Sequence, residues 1–348
     1  MRAFRLRSAA MEGVFELGDL ALQSGVVLPQ ARLAYETHGT LNAARDNAIV
    51  YPTAYAGRHS DNAMFIGAGR AFDPSKYFIV VPDLFGNGLS SSPSTTAAPH
   101  DRARFPLVTV YDNVTAQHRL LMEHLGVRRI ALVAGYSMGA QQAFHWAALH
   151  AGMVERMAAI CGSAKTTPHN GLFLEGLKTA LQADSGWAGG DYDAPPVRGL
   201  RAFATVYAGW FASQAFYRQG LHLGTFAGQA IPSMDVFLEL IGAVFGAFDV
   251  NDLLAMLATW QAADVSAHPK FGGDLDRALG AITSRALVMP CETDLYFPPE
   301  DSAFAVAKMP HAELRVIPSL WGHLAGSPML NPEDVRFVDQ SLARLLAR

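Results

Sequence analysis

Gly135-Tyr136-Ser137-Met138-Gly139 sets a serine between glycines two positions away on either side. The letters around it supply a context: 130–134 is an apolar, strand-like run, and 140–149 has helical periodicity. A serine on a sharp turn from strand to helix has its hydroxyl lifted above the sheet, and the backbone passes closely enough that the flanking positions require glycine. The same turn places Ser137 at a helix N-terminus, where the Met138 amide can face a developing oxyanion. A flexible Gly/Ser turn without chemistry is the competing reading of these five residues. The strand before and the helix after count against it.

A serine hydroxyl is a weak nucleophile near neutral pH, so the motif demands a histidine base and an acid to orient it. His323 stands in Pro318-Ser319-Leu320-Trp321-Gly322-His323, directly after the strand-like run 314–317. Asp294 follows the run 286–289 and precedes a helix opened by proline, so serine, acid and histidine fall in the chain order that this turn motif carries. Glu292 and Asp301 are rival acids, the latter expected on the helix. His118, His124, His145 and His150 fall on helical patterns, and His59 precedes the serine. A second oxyanion donor is expected from the loop Pro52-Thr53-Ala54-Tyr55-Ala56-Gly57, with the Tyr55 amide first and Ala54 as its rival.

The elements that must position these residues are legible as an alternation. Strand-like runs at 48–51, 77–81, 130–134, 157–160, 286–289 and 314–317 are interleaved with helical patterns at 114–125, 140–149, 299–308 and 332–346. That is the pattern of an α/β fold with a mostly parallel, doubly wound sheet, entered through antiparallel strands around 33–36. Between 164 and 276 the strand signal gives way to helical patterns at 172–181, 198–212, 234–248 and 251–263. The expectation is a helical lid, 164–276, inserted into a core made of 1–163 and 277–348. Ligands of such sheets bind beyond the carboxyl ends of the strands, where a lid would shape the pocket.

Composition narrows the partners. Half of the 348 residues are apolar, 17% are charged and the net charge is −4, which fits a small-molecule acyl substrate and argues against nucleic acid. The basic segment 1–8 leads into Glu12, Glu16 and Asp19 rather than an apolar signal core. Glu239 and Asp249 interrupt the most membrane-like stretch, so no membrane partner and a cytoplasmic location are expected. Cys161 and Cys291 end apolar runs and should be buried free thiols. No His-Glu-x-x-His helix or close ligand cluster is present, and neither metal nor cofactor is expected.

With these residues placed, the chain resembles the homoserine O-acetyltransferase family of α/β-hydrolase-fold enzymes along nearly its whole length. The resemblance runs through Tyr35-Glu36-Thr37-His38-Gly39-Thr40-Leu41-Asn42, then Phe105-Pro106-Leu107-Val108-Thr109-Val110-Tyr111-Asp112 and Ser137-Met138-Gly139. It continues in Ala183-Asp184-Ser185-Gly186-Trp187-Ala188-Gly189-Gly190-Asp191-Tyr192, Asp294-Leu295-Tyr296-Phe297-Pro298-Pro299 and Gly322-His323. It implies helices lidding a deep pocket, and a homodimer formed through that lid. Four departures bear on substrate. The family's arginine for the substrate carboxylate is Ala208 after Tyr207, and its aspartate for the substrate amine is Leu324 after His323. Tyr136 and Ala140 replace glycines beside the serine turn. An amino-acid substrate would leave unpaired buried charges, which cost several kcal/mol, so homoserine is not the expected acceptor. The first reading is a serine hydrolase of small-molecule esters. The second is an acyl-CoA-dependent O-acyltransferase with another acceptor, and the third a non-catalytic binding protein on the same fold.

Overall fold

A computed structural model describes residues 10–226, 229–327 and 330–348. The basic segment 1–8 lies outside the described residues. In chain order the strands are β1 (Met11–Ala21), β2 (Val27–His38), β3 (Ala48–Val50), β4 (Phe78–Pro82), β5 (Ile130–Tyr136), β6 (Arg156–Ile160), β7 (Gly224–Phe226), β8 (Gln229–Ile231), β9 (Arg285–Met289) and β10 (Ala312–Leu314). Eight of them form one sheet in the order β1-β2-β4-β3-β5-β6-β9-β10, while β7 and β8 pair apart. β1, β2 and β4 are paired antiparallel, and from β4 onward the sheet is parallel.

The helices are α1 (Val110–Arg119), α2 (Met138–Leu149), α3 (Pro168–Gln182), α4 (Val197–Phe211), α5 (Gln214–Arg218), α6 (Met234–Gly246), α7 (Val250–Gln261), α8 (Leu275–Gly280), α9 (Pro299–Val306) and α10 (Pro332–Leu346). They cover both sheet faces. On one face Val114 of α1 and Phe144 and Trp146 of α2 join Val133, Met157 and Val288 in a core. On the other, α10 lays Val335, Val338, Leu342 and Leu345, one helical stripe, against Ile49, Val81, Leu132 and Leu287. Each fully buried side chain of this size contributes about 1.5–3 kcal/mol. A third cluster, rich in aromatics, joins α3, α4, α6 and α7 over the carboxyl ends of the strands.

Local chemistry sets the element ends. Thr109 closes a capping box with Asp112 and starts α1 four residues before the sequence pattern does, and the same helix finishes in a π turn over Leu120–His124. α10 opens as its sequence suggests, with Asn331 accepting the Glu333 amide and Pro332 at the first position. The strand-like run 314–317 is only partly strand: β10 stops at Leu314, and Ile317 is joined to Cys291 by an isolated bridge.

The last helical pattern of the inserted block, 251–263, is α7. Residues Ala263, Val265, Phe271, Ala278, Leu279 and Ile282 already pack in the main sheet core with Ala164, and the 276/277 boundary falls inside α8. Among the described residues no single helix is long and apolar enough to cross a membrane; α6 and α7 come nearest as a pair but are bent by 90°. Cys161 and Cys291 are buried and unpaired.

Candidate active site

At the carboxyl end of β5 the chain turns into α2 through Ser137, whose φ of 57° and ψ of −122° are a strained combination for a residue with a side chain. Such strain, of order 1–3 kcal/mol, persists only where the surroundings enforce it. Here three close approaches do. A Cβ on Gly135 would stand 2.0 Å from the Gly139 carbonyl, and one on Gly139 would stand 2.8 Å from the Pro52 oxygen. One on Gly162 would stand 2.6 Å from the Ser137 oxygen. The Ser137 amide donates to Ile160 O at 2.9 Å and ties the turn to β6. Gly162 is a requirement that sequence reasoning missed, because its partner Ser137 is distant in sequence and is brought near only by the β5–β6 pairing.

The three residues expected to act together are brought together. His323 Nε2 lies 2.9 Å from Ser137 Oγ, and His323 Nδ1 lies 2.9 Å from Asp294 Oδ2. The other Asp294 oxygen accepts the backbone amides of Tyr296 at 2.8 Å and Phe297 at 3.2 Å, so the carboxylate cannot rotate away from the ring without breaking both. Ser137, His323 and Asp294 are 2%, 3% and 4% exposed. The rival acids stand elsewhere: Glu292 is exposed and Asp301 lies in α9.

The turn Gly322–Gly326 that carries His323 is fixed by polar contacts beneath it. Thr293 Oγ1 donates to Ser319 O at 2.8 Å and accepts the Gly322 amide at 3.2 Å, while Ser319 Oγ donates to Asp334 at 2.8 Å. Tyr136 stacks on the imidazole at 4.9 Å between ring centroids and donates its hydroxyl to His323 O at 3.1 Å. Tyr296 meets the same ring edge-on at 4.7 Å, and Phe297 lies at 5.6 Å. The aromatic residue at 136 thus serves as a platform for the histidine, a role the motif alone did not reveal.

Around the serine the walls are aromatic and neutral. Tyr55, Tyr136, Tyr207 and Tyr296 all have their phenols pushed well above the ordinary value, first by burial, and stay protonated. Tyr55 stacks on Tyr207 at 6.0 Å and tilts against Trp260 at 5.8 Å; Phe173 stacks on Tyr296 at 4.6 Å. Burial likewise pushes the Cys161 thiol well above its usual range and the Cys291 thiol to about 11, so neither is a thiolate nucleophile. Ala208 is buried in the aromatic cluster and Leu324 packs against it, so neither position offers a charge to an amino acid.

The loop after β3 lies against the serine turn. Thr53 N donates to Pro82 O at 3.1 Å, Gln142 Nε2 of α2 donates to Thr53 O at 2.9 Å, and Gly57 N closes a turn on Ala54 O at 3.0 Å. Tyr55 sits between these points with its hydroxyl donating to Leu253 O of α7 at 3.2 Å. Met138 is the first residue of α2, so its amide has no acceptor within the helix. Among the described residues no group of three or more His, Cys, Asp or Glu side chains is placed to hold a metal.

Residues 47–326 match the family model of the α/β hydrolase fold, and the chain belongs to that family. It is an enzyme of the serine-hydrolase type. It is 40% identical over 342 residues to the ethyl acetate hydrolase of Pseudomonas veronii, covering 96% of this chain and 95% of that protein. It is 30% identical to the homoserine O-acetyltransferase of Methanosphaerula palustris, covering 93% of this chain and 72% of that one, in line with the resemblance carried by its motifs. Among solved structures, an acetylester hydrolase from Corynebacterium glutamicum superposes with a TM-score of 0.91 at 37% identity, covering 97% of this chain and 96% of that one.

Proposed function

We propose that the protein hydrolyses short-chain, acetyl-type esters of small uncharged alcohols through an acyl-enzyme on Ser137. The observation that carries this reading is the unbroken line from Ser137 Oγ through His323 to Asp294, with both links at 2.9 Å. Ser137 Oγ attacks the ester carbonyl carbon while His323 Nε2 takes its proton. The amides of Met138 and Tyr55 receive the oxyanion, each worth on the order of 10²-fold or more in rate. When the tetrahedral adduct collapses, the bond from the carbonyl carbon to the alkoxide oxygen breaks and the imidazolium protonates the departing alcohol. Water then adds to the acyl carbon, giving a proton to His323, and the acid leaves as Ser137 recovers that proton. Asp294 keeps Nδ1 protonated and balances the imidazolium.

Substrate class follows from the walls. Ala208 and Leu324 leave a neutral, apolar lining where an amino-acid acceptor would need a cation and an anion. The names of the similar proteins, an ethyl acetate hydrolase and an acetylester hydrolase, agree with a small acyl group and a small alcohol. The helices α3 to α7 act as a lid in this reading.

Acyl transfer to an alcohol is the second reading, favoured by one observation: the serine is only 2% exposed beneath an aromatic layer that disfavours water. Steady-state hydrolysis of ethyl acetate and p-nitrophenyl acetate, and thiol release from acetyl-CoA with and without added alcohols, separates the two. Ester turnover indifferent to alcohol and lost in Ser137→Ala is the expected result. Acetyl-CoA cleavage that depends on an alcohol would replace hydrolysis with transfer.

A further inference from the structure

His59 opens a 3₁₀ turn, His59–Phe65, just beyond the loop that carries Tyr55. One carboxylate holds both its backbone and its ring. Asp83, the first residue past β4 and fully buried, accepts the His59 amide on Oδ1 at 2.9 Å, and its Oδ2 lies 2.5 Å from His59 Nδ1. Asn87 Nδ2 donates to the same Oδ1 at 2.9 Å and to Gly57 O at 3.1 Å. Two of the contacts to Asp83 therefore end on residue 59, and the third returns through Asn87 to Gly57. At the other end of the loop, Thr53 Oγ1 accepts the Leu84 amide at 3.0 Å, one residue past Asp83. Tyr55 stands between two anchor points that both lead to the end of β4.

The charges around the imidazole explain its state. From β1, Glu12 approaches Nε2 to 3.6 Å; from β2, Glu36 adds its field, its Oε2 lying 3.2 Å from His38 Nε2 without hydrogen-bond geometry. Burial raises the Asp83 pKa, and the three N–H hydrogen bonds that it accepts from His59 and Asn87 oppose that rise. The hydrogen bond to Asp83 in turn holds the His59 pKa above its ordinary value, over the opposing effect of burial and with Glu36 and Glu12 assisting.

We infer that His59 and Asp83 are positioning residues for the reaction: their charged pair fixes the loop that holds the Tyr55 amide over Ser137. The inference rests on the acyl-enzyme reading above. While Asp83 is ionised, a proton on His59 adds the attraction of opposite charges to the hydrogen bond between them, so the clamp is tightest while His59 carries its proton. A histidine with a raised pKa is protonated below that value, so the clamp loosens as pH rises through it. The loop then slackens and the oxyanion is held less well.

The test compares His59→Gln and Asp83→Asn with wild type, using p-nitrophenyl acetate as substrate and diethyl p-nitrophenyl phosphate to count reactive serines. The expected result is a fall of about tenfold or more in kcat per titrated serine, since small displacements of a catalytic group cost this much, with KM within about threefold. The wild-type kcat declines on the alkaline side, and that decline is absent in His59→Gln. Wild-type kcat per titrated serine and an unchanged pH profile in both variants, even with a lower melting temperature, would reduce the pair to a structural role and overturn the inference. A wild type that the phosphate does not inactivate, or an active Ser137→Ala, would instead sink the acyl-enzyme reading, and the two failures are told apart.

Discussion

Replacing Asp294 by asparagine keeps the shape of the side chain and inverts what it can do. In the native site Oδ1 accepts two backbone amides, from Tyr296 and Phe297, while Oδ2 faces His323 Nδ1. Those amides are donors only, so an asparagine must turn its carbonyl oxygen toward them and its NH₂ toward the imidazole. Nδ1 then has to accept, the ring adopts the tautomer protonated at Nε2, and Nε2–H points at Ser137 Oγ, which lies 2.9 Å away. A base that already carries its proton cannot take one from serine. Loss of the correct tautomer costs on the order of 10³- to 10⁴-fold in kcat, about 4–5.5 kcal/mol of transition-state stabilisation. The melting temperature stays within a few degrees, because every buried donor and acceptor but one keeps a partner. The assay is kcat for p-nitrophenyl acetate at neutral pH beside a thermal melt. An Asp294→Asn enzyme that folds normally and turns over within tenfold of wild type would refute the tautomer argument.

Three other substitutions probe the scaffold. Gly135→Ala drives a Cβ to 2.0 Å from the Gly139 carbonyl, so either the turn shifts or the fold yields; the expectation is a loss of about 3 kcal/mol or more in urea unfolding, together with loss of serine titration. Gln117→Leu removes the acceptor of Trp146 Nε1 at 2.8 Å and the donor to Gln142 at 2.6 Å in the buried core, and should cost about 2–3 kcal/mol by the same measurement. Asp252, whose oxygens accept Ser94 N and Oγ, has its pKa raised to about 6 by burial. Its folded pKa lies above its unfolded one, so the penalty of the buried charge is full above about pH 6 and relieved as pH falls toward 4. Asp252→Asn should therefore gain on wild type by up to ~2 kcal/mol at pH 8, and the gain should shrink by pH 5 in paired thermal melts.

How far the sequence reached follows from the range of each interaction. The serine turn, α9 and α10 were legible because proline, capping residues and apolar periodicity act over a few neighbours, and α10 runs over Pro332–Leu346 as its pattern suggests. β1 was not, since it is an edge strand with mostly exposed side chains and lacks a buried alternation. The packing around α8 was not legible for a related reason: Asp274 caps the helix locally, but only the folded chain shows Ala263, Val265, Phe271, Ala278, Leu279 and Ile282 in the sheet core. In the site, Ser137, Asp294 and His323 each announced themselves by position at a strand end. Gly162, the Tyr136 platform and the His59–Asp83 pair did not, because each acts through a partner that is distant in sequence.

Rapid-quench mass spectrometry of wild type mixed with p-nitrophenyl acetate, followed by proteolysis and peptide mapping, tests the central claim most directly. The account predicts an acetyl group on Ser137 that forms with the p-nitrophenol burst, decays at the rate of turnover, and is absent in Ser137→Ala. An acetyl group that accumulates on another residue, or full turnover with no acyl-enzyme at Ser137, would contradict it.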